Sequence, residues 1–157
     1  MSNTSPAMSA WNKFSVLPGG KSLFSRFLCW KAPYFSSISP RFIELRPGYC
    51  KIAVKKRRKV QNHLGTVHAI AMCNMAELAG GTMTDVSIPS THRWIPKGMT
   101  VEYLAKAETD LHAIATIDPI PKFEQSSELP VTVNVFDSTD QNVFRAIITM
   151  WVSRKSK

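Results

Sequence analysis

The stretch "VHAIAMCNMAELAGGTM", residues 67–83, decides the fold of this chain. It contains no proline and is long enough for about 25 Å of α-helix. Glu77 is its only charged group at neutral pH apart from the ambiguous His68, and apolar or small residues lie on nearly every side. A helix that is apolar all round has to be surrounded by other structure. We therefore predict that this helix forms the core of the domain.

The segments on either side of this helix have the pattern of β-strands. Residues 49–58 place Cys50, Ile52 and Val54 on one face and polar or small residues on the other. Two strands are expected before the helix and four after it, and no β-α-β repetition occurs, which argues against a parallel doubly wound sheet. We predict an α+β domain in which an antiparallel curved sheet wraps around one long central helix.

The N-terminal segment differs in composition from the rest of the chain. Residues 1–43 contain nine serines, five Lys or Arg and no acidic residue. That composition is typical of a targeting segment, but residues 9–17 and 21–30 also have the pattern of short helices separated by a Pro-Gly-Gly turn. We divide the chain into an N-terminal tail and helical extension, 1–40, and one domain, 41–153. The extension is expected to pack on the domain or to cover a pocket.

The overall composition fits a single globular domain in a reducing compartment. Of the 157 residues, 44% are hydrophobic and 20% are charged, close to the average for globular proteins. The three cysteines form no Cys-x-x-Cys pair, which argues against disulfides and predicts a cytoplasmic protein. No apolar run approaches the roughly 20 residues that span a bilayer. The net charge of +9 favours an anionic partner: nucleic acid, a membrane surface or a phosphate-bearing small molecule.

The residues around the start of the central helix carry the most chemistry. "NHLGTVHA", residues 62–69, is followed by Glu77, nine residues after His68. Free N–H groups and the positive end of the dipole at a helix start can hold a developing oxyanion, and Gly65 lets a substrate atom approach the backbone. A carboxylate in apolar surroundings is poorly hydrated, which suits a general base. An ion pair or a place at a subunit interface for Glu77, and a plain helix-terminal role for His68, remain open.

This motif resembles that of the hotdog-fold acyl-CoA thioesterases of the phenylacetyl-CoA thioesterase type. That group carries an Asn, a Gly three residues later, then His-Gly-Gly, and an acidic residue nine after the His. Asn62, Gly65, His68 and Glu77 fall on those positions. The order of two strands, one helix and four strands also matches the hotdog layout. The whole chain is similar to uncharacterised bacterial hotdog proteins with an N-terminal helical extension.

Two positions differ from the pattern of that group. His68-Ala69-Ile70 stands where the group has His-Gly-Gly, which adds bulk where the backbone would approach substrate, and Glu77 stands for the commoner Asp. The resemblance therefore implies two candidate functions for one fold. The first is hydrolysis of acyl-CoA or acyl-carrier thioesters. The second is binding of an acyl-CoA or fatty-acyl group without turnover.

The resemblance also implies roles for individual residues. Glu77 would be the general base or nucleophile, Asn62 would position the attacking water, and the backbone from Gly65 to His68 would polarise the carbonyl. In the family, the loop and the acid of one site come from different subunits, which implies a homodimer or a dimer of dimers. No cofactor is implied, because coenzyme A is part of the substrate. Further residues expected to contact the substrate are His63, Thr66, Ala69, Lys56 and Arg58.

The densest charge in the chain is "KKRRK", residues 55–59. It fits the solvent-facing end of a strand, a rim that holds the phosphates of coenzyme A, or a nucleic-acid-binding patch. No RNA- or DNA-recognition motif accompanies it, so we expect no nucleic-acid partner. No spacing of His, Cys, Asp and Glu resembles a zinc site, so we also expect no metal.

Overall fold

The computed structural model of the chain describes residues 5–156, so the first four residues of the predicted tail lie outside the described residues. Its α-helices are α1 (Pro6–Phe14), α2 (Gly20–Lys31) and α3 (Ala69–Ser87), and short 3-10 helices lie at Pro33–Ile38 and Arg58–Val60. Its strands are β1 (Arg41–Arg46), β2 (Tyr49–Val54), β3 (His92–Tyr103), β4 (Leu111–Thr116), β5 (Ser127–Phe136) and β6 (Asn142–Arg154).

The six strands form one antiparallel sheet in the order β1-β2-β4-β5-β6-β3. Helix α3 contacts all six of them, and 12 of its 19 residues are buried. The predicted α+β fold, with a sheet wrapped around one central helix, is confirmed. Strands β1 and β3 form the two edges of the sheet, which matters for the site described below.

Close contact between α3 and the sheet depends on Gly80. A Cβ atom at this position would lie 3.1 Å from Cδ1 of Ile148 and 3.3 Å from Cγ1 of Val131. Both side chains belong to the buried faces of their strands, where alternate residues point inward. The glycine therefore brings the helix backbone directly against the apolar layer of the sheet.

The N-terminal end of α3 differs from the prediction. The sequence indicated a helix from residue 67 with Thr66 as N-cap, but α3 begins at Ala69 and His68 is its N-cap. Nδ1 of His68 accepts a hydrogen bond from the Ile70 N–H at 3.1 Å. Thr66 is not available as a cap, because its hydroxyl is bonded within the preceding loop.

The C-terminal end of α3 lies beyond the predicted end at residue 83. The glycine pair was expected to weaken the last turn, yet the helix continues to Ser87. The hydroxyl of Thr84 donates to the carbonyl oxygen of Gly80 at 2.7 Å, and that of Ser87 donates to the carbonyl oxygen of Met83. Tertiary packing of the glycines compensates for their low helix propensity.

Two strand boundaries also differ from the prediction. The expected break at Pro96 is only a bulge between Pro96 and Gly98 within a continuous β3. Proline is tolerated there because β3 is an edge strand, where a missing N–H removes no ladder hydrogen bond. Strand β2 ends at Val54, so the interpretation of residues 55–59 as the end of a strand is wrong. They form an extended segment and the short 3-10 helix.

The predicted N-terminal helices are confirmed and pack on the edge of the sheet. The rings of Trp11 and Phe24 meet edge to face with centroids 5.1 Å apart, and Phe24 meets Phe42 of β1 in the same way. Ser25 accepts a hydrogen bond from the Phe42 N–H at 2.9 Å, which satisfies a backbone donor at the edge. The division of the chain at residue 40 stays a prediction.

Two further properties concern the whole described chain. Cys29, Cys50 and Cys73 are free thiols. Within residues 5–156, none of the helices combines the length and the apolar character that crossing a membrane requires.

Candidate active site

Glu77 lies on a face of α3 that the sheet does not cover. It is the only exposed residue between Ala71 and Thr84, and its carboxylate makes no hydrogen bond or ion pair within the described residues. The side chain borders a cavity of about 290 Å³. Glu77 is therefore an unpaired carboxylate beside a cavity. Within one chain it is exposed, so the expectation of poorly hydrated, apolar surroundings for this carboxylate is wrong for the single chain.

The cavity beside Glu77 is enclosed by three parts of the fold. The extension, helix α3 and strand β3 each form one wall, and Asp85 is the only other ionisable residue in the lining. The remaining lining residues are Ala7, Leu28, Ala32, Phe35, Leu78, Gly81, Thr82, Trp94 and Pro96. The cavity is therefore mostly apolar and carries two carboxylates on one side, which suits a ligand with an apolar body and a polar reacting end.

Asp85 also lines the cavity, and the sequence did not predict it as a candidate site residue. It lies eight residues after Glu77 on the same helix, about 12 Å along the axis. Its Oδ1 accepts a long hydrogen bond, 3.5 Å, from Nε1 of Trp94. If the predicted helix had continued beyond residue 83, the eight-residue spacing would have indicated that Asp85 belongs to the same helix as Glu77.

On its open side, Glu77 faces an apolar surface shared by α3 and β3. Ile70, Cys73 and Glu77 have the i, i+3, i+7 spacing of one helix face, and none of the three is buried. Sγ of Cys73 lies 3.6 Å from the hydroxyl of Tyr103. That contact, together with burial, raises the pKa of Tyr103, so its hydroxyl stays protonated at neutral pH. Met99 on the same edge strand is also exposed.

The loop before α3 is held together by the side chain of Asn62. Its Oδ1 accepts hydrogen bonds from the N–H groups of Leu64, at 3.0 Å, and Thr66, at 3.2 Å. Its Nδ2 donates to the Thr66 hydroxyl at 2.9 Å. Gly65 has a φ of +77°, the left-handed conformation that glycine adopts most readily. Asn62 and Thr66 thus shape this loop, and one N–H of the Asn62 amide remains for another partner.

The start of α3 offers one free backbone donor. The N–H of Ala69 has no hydrogen-bond partner among the described residues, whereas the N–H of Ile70 is bonded to the His68 ring. His63 and His68 are both exposed. The positive end of the helix dipole lies at the same place as the free Ala69 N–H. Both favour negative charge, so this end of the helix can stabilise an oxyanion.

Within one chain, Glu77 and the loop are not brought together. His68 lies about 13 Å along α3 from Glu77, by helix geometry. It lines a different cavity, of about 180 Å³, together with Asn74 and Lys59. Asn62, Gly65 and His68 therefore belong to one group and Glu77 to another.

The two basic residues predicted to hold phosphates have different surroundings. Lys56 donates from Nζ to the carbonyl oxygen of Glu108 at 2.9 Å, and from its N–H to Oδ1 of Asp110 at 2.8 Å. Arg58 is exposed and makes no ion pair within residues 5–156. Arg58 is thus available to an anion, while Lys56 already fastens its segment to the loop before β4.

Within residues 5–156, no group of three or more His, Cys, Asp or Glu side chains is arranged to hold an ion.

The fold and the sequence comparisons place the chain among hotdog proteins. Its sheet and central helix match those of hotdog-fold thioesterase structures. Residues 20–152 match the family described as a domain of unknown function (DUF4442), and the chain belongs to that family. The matched region includes α2 of the extension as well as the sheet and α3. No curated protein matches the chain.

Solved structures extend this comparison. A crystal structure of a genomics target is 50% identical, has a TM-score of 0.83, and is matched over 95% of this chain and 98% of that one. A Pseudomonas aeruginosa protein described as a probable thioesterase is 22% identical, with a TM-score of 0.77 and coverage of 88% and 97%. A thioesterase family protein from Silicibacter pomeroyi is 14% identical, with a TM-score of 0.71 and coverage of 83% and 96%. At these last two identities the likeness concerns the fold.

Proposed function

We propose that the protein hydrolyses acyl thioesters, with Glu77 as general base or nucleophile. The observation that carries this proposal is the unpaired carboxylate of Glu77 at the edge of an apolar cavity of about 290 Å³. The names of the Pseudomonas and Silicibacter proteins, described as thioesterases, support the same class of reaction. The apolar cavity suits an acyl group, and its rim suits the thioester carbonyl.

The chemistry requires few groups. In the general-base route, Glu77 takes a proton from water, the water oxygen attacks the carbonyl carbon, and the carbon–sulfur bond breaks as the thiol leaves with a proton. In the nucleophilic route, the carboxylate attacks the carbonyl carbon, the carbon–sulfur bond breaks and the thiolate leaves. Water then hydrolyses the mixed anhydride to the free acid and the regenerated carboxylate, and the proton released in that step goes to the thiolate. Both routes place negative charge on the carbonyl oxygen. A backbone donor such as the free N–H of Ala69 would stabilise that charge.

A second copy of the chain would complete this site. Strand β3 is an unpaired edge, and exposed apolar side chains lie beside it, among them Ile70, Met99 and Tyr103. Unpaired strand edges with apolar surroundings are sites of association. We propose a homodimer, or a dimer of dimers, formed at this edge. It would remove Glu77 from bulk water and bring the loop before α3 of one copy towards Glu77 of the other.

Coenzyme A is the proposed thiol half of the substrate, with an acyl carrier as the alternative carrier. The net charge of +9 favours a phosphate-bearing substrate over a neutral one, and Arg58 is free to meet a phosphate. We expect Thr66, His63 and Ala69 to border the thioester, with Lys56 and Arg58 nearer the nucleotide. No resident cofactor is needed, and a cytoplasmic location agrees with such a substrate.

A specific observation favours a second candidate function, the binding of acyl-CoA without turnover. Ile70 replaces a glycine of the thioesterase motif and is exposed at the start of α3. Ile70 directly follows Ala69, whose free N–H is the donor that a carbonyl oxygen would have to approach, so its bulk would narrow that approach. If that crowding prevents the approach, the cavity would still hold an acyl chain.

Thiol release from acyl-CoA substrates, from acetyl-CoA to palmitoyl-CoA, tests the proposal. We expect turnover by the wild type and a loss of about 10²- to 10⁴-fold in Glu77→Gln, the usual range for a lost general base. Glu108→Gln, which alters an exposed loop carboxylate, is the matched control and should keep full activity. Turnover that survives Glu77→Gln would remove Glu77 from the reaction. Acyl-CoA binding without thiol release would favour the binding module.

A further inference from the structure

Helix α2 presents an apolar stripe to solvent. Leu23, Phe27 and Trp30 have the i, i+4, i+7 spacing of one helix face, with exposed fractions of 47%, 38% and 78%. An adjoining face of the helix is already packed, because Phe24 is buried against Trp11. Surface helices ordinarily have one apolar face, directed to the core. The second face of α2 is therefore a surface that the fold of this chain does not use.

Further exposed apolar residues precede α2 in the sequence. Val16 and Leu17 follow the end of α1 and are both exposed. Aromatic contacts hold the stripe in place, since the rings of Phe27 and Trp30 are stacked with centroids 6.3 Å apart. Leu23, Phe27 and Trp30 thus form one apolar ridge along α2 rather than scattered surface residues.

Positive charge surrounds this ridge. Residues 5–43 contain five Lys or Arg and no Asp or Glu. Lys13, Arg26 and Lys31 are exposed, and none of them makes an ion pair within the described residues. Nζ of Lys31 lies 5.8 Å from the centroid of the Phe27 ring. The ridge is apolar at its centre and has unpaired cations at its margins. It therefore fits a binding partner that is apolar inside and anionic at its surface.

A cavity beside the ridge adds a site for the anionic part. It has a volume of about 380 Å³ and lies between α2, the following 3-10 helix and β1. Arg26 and Arg41 line it together with four serines, and no carboxylate is among the lining residues. Guanidinium groups are the usual donors to phosphate oxygens. Among the serines, the Ser22 hydroxyl makes no hydrogen bond within the described residues, whereas the hydroxyls of Ser25, Ser36 and Ser39 already donate to backbone carbonyl oxygens. The cavity can therefore receive a phosphate group next to the place where the apolar ridge would be buried.

We propose that the α1–α2 extension docks on membranes containing anionic lipids. Leu23, Phe27 and Trp30 would enter the interfacial region, where Trp is favoured because one end of its ring system is apolar and the other polar. Arg26 and Lys31 would meet lipid phosphates, as in helices that lie in the membrane plane. A second copy of the chain is a poorer occupant, because two such surfaces would bring like charges together. Docking of this kind needs no membrane-spanning segment.

Vesicle flotation tests the proposal without any substrate, so its outcome is independent of catalysis at Glu77. We expect the wild type to bind phosphatidylcholine vesicles that contain about one third phosphatidylglycerol at least about ten-fold more than pure phosphatidylcholine vesicles. Binding should weaken as salt is raised, because the charges are exposed. Leu23→Ser/Trp30→Ser should lower binding by about ten-fold or more. Ile120→Ser/Ile147→Ser, which changes exposed apolar residues elsewhere, should bind as the wild type does.

Charge reversal provides a second, independent arm. Arg26→Glu/Lys31→Glu should reduce binding to the anionic vesicles by about ten-fold, whereas Lys122→Glu, in the β4–β5 loop, should have little effect. The three positions in these variants and the four in the serine variants are non-buried, and thermal unfolding checks that each variant folds. Failure of the wild type to bind anionic vesicles would overturn the proposal, as would equal binding by the ridge variant. Dissociation of an oligomer by Leu23→Ser/Trp30→Ser, without vesicle binding by the wild type, would identify the ridge as an interface between copies.

Discussion

The indole ring of Trp94 lies where a side chain on Gly81 would stand. A Cβ atom at Gly81 would be only 2.7 Å from Cη2 of Trp94, and the indole Nε1 in turn donates to Asp85. The missing side chain thus allows the indole to lie across α3 and to form one wall of the cavity beside Glu77. Gly80 allows close contact with the sheet on one side of the helix, and Gly81 makes room for the indole on the cavity side.

We expect Gly81→Ala to displace the indole and to reduce the free energy of unfolding by about 1–2 kcal/mol, because overpacking outweighs the gain of about 1 kcal/mol in helix propensity. Trp94→Phe removes the atoms that meet the new methyl group. In a double-mutant cycle by urea denaturation, the two changes together should be less harmful than their sum by about 1 kcal/mol. Strictly additive effects would contradict the contact.

The sequence predicted the central helix and its surrounding sheet because both depend on local periodicity. It also indicated Glu77 as a candidate, since a lone acid in an apolar helix is visible without tertiary information. Asp85 was missed because the glycine pair was interpreted as the helix end, and only tertiary packing carries α3 past it. The sequence left open whether the extension packs on the domain or covers a pocket, because no local pattern specifies where α1 and the first 3-10 helix lie against α3.

The role of Asn62 in shaping its loop can be separated from a role in positioning water. Asn62→Ala removes the acceptor of two backbone N–H groups and should lower the free energy of unfolding by about 1–3 kcal/mol, the usual cost of unsatisfied donors. Asn62→Asp keeps both acceptors and should unfold close to the wild type. If Asn62→Asp is stable but inactive in thiol release, the amide N–H acts on the reaction. If Asn62→Asp is as unstable as Asn62→Ala, the stabilising effect of Asn62 does not come from the hydrogen bonds that its Oδ1 accepts.

The proposed dimer edge can be tested at Met99. In the register of the sheet, Met99 pairs with the buried Ile148, so it lies on the face that carries α3. Met99→Lys places a charge where a second copy would pack, and burying an unpaired charge is costly. Sedimentation velocity should show a shift towards monomer, with a parallel loss of thiol release.

Ile147→Lys is the control for the dimer edge. Ile147 is comparably exposed but belongs to β6 and points to the opposite face, since its neighbour Ile148 is buried. This variant should keep the association state of the wild type. A monomeric wild type, or a Met99→Lys variant that stays associated and active, would contradict dimerisation at β3.

His112 makes stability depend on pH on the acid side of neutrality. Burial and the nearby Lys51 lower the pKa of His112 from its ordinary value of 6.5, although Asp140 and Asp137 act in the opposite direction. Below pH 6.5 the unfolded chain therefore takes up a proton that the folded chain resists. The stability linked to His112 is complete above that pH and is lost as the pH falls through the folded-state pKa.

Replacing His112 with a residue that does not titrate isolates this contribution. The ring of His112 stacks on Phe136 with centroids 5.3 Å apart, so His112→Phe keeps an aromatic contact and removes the proton site. We expect urea denaturation to show a smaller loss of stability in His112→Phe than in the wild type on going from neutral pH to pH 5 or so. Asp137 does not interfere, because hydrogen bonds from Thr139 lower its pKa from 3.8 and confine its effect to more acidic solutions. Parallel pH profiles for wild type and His112→Phe would show that His112 titrates alike in the folded and unfolded chains.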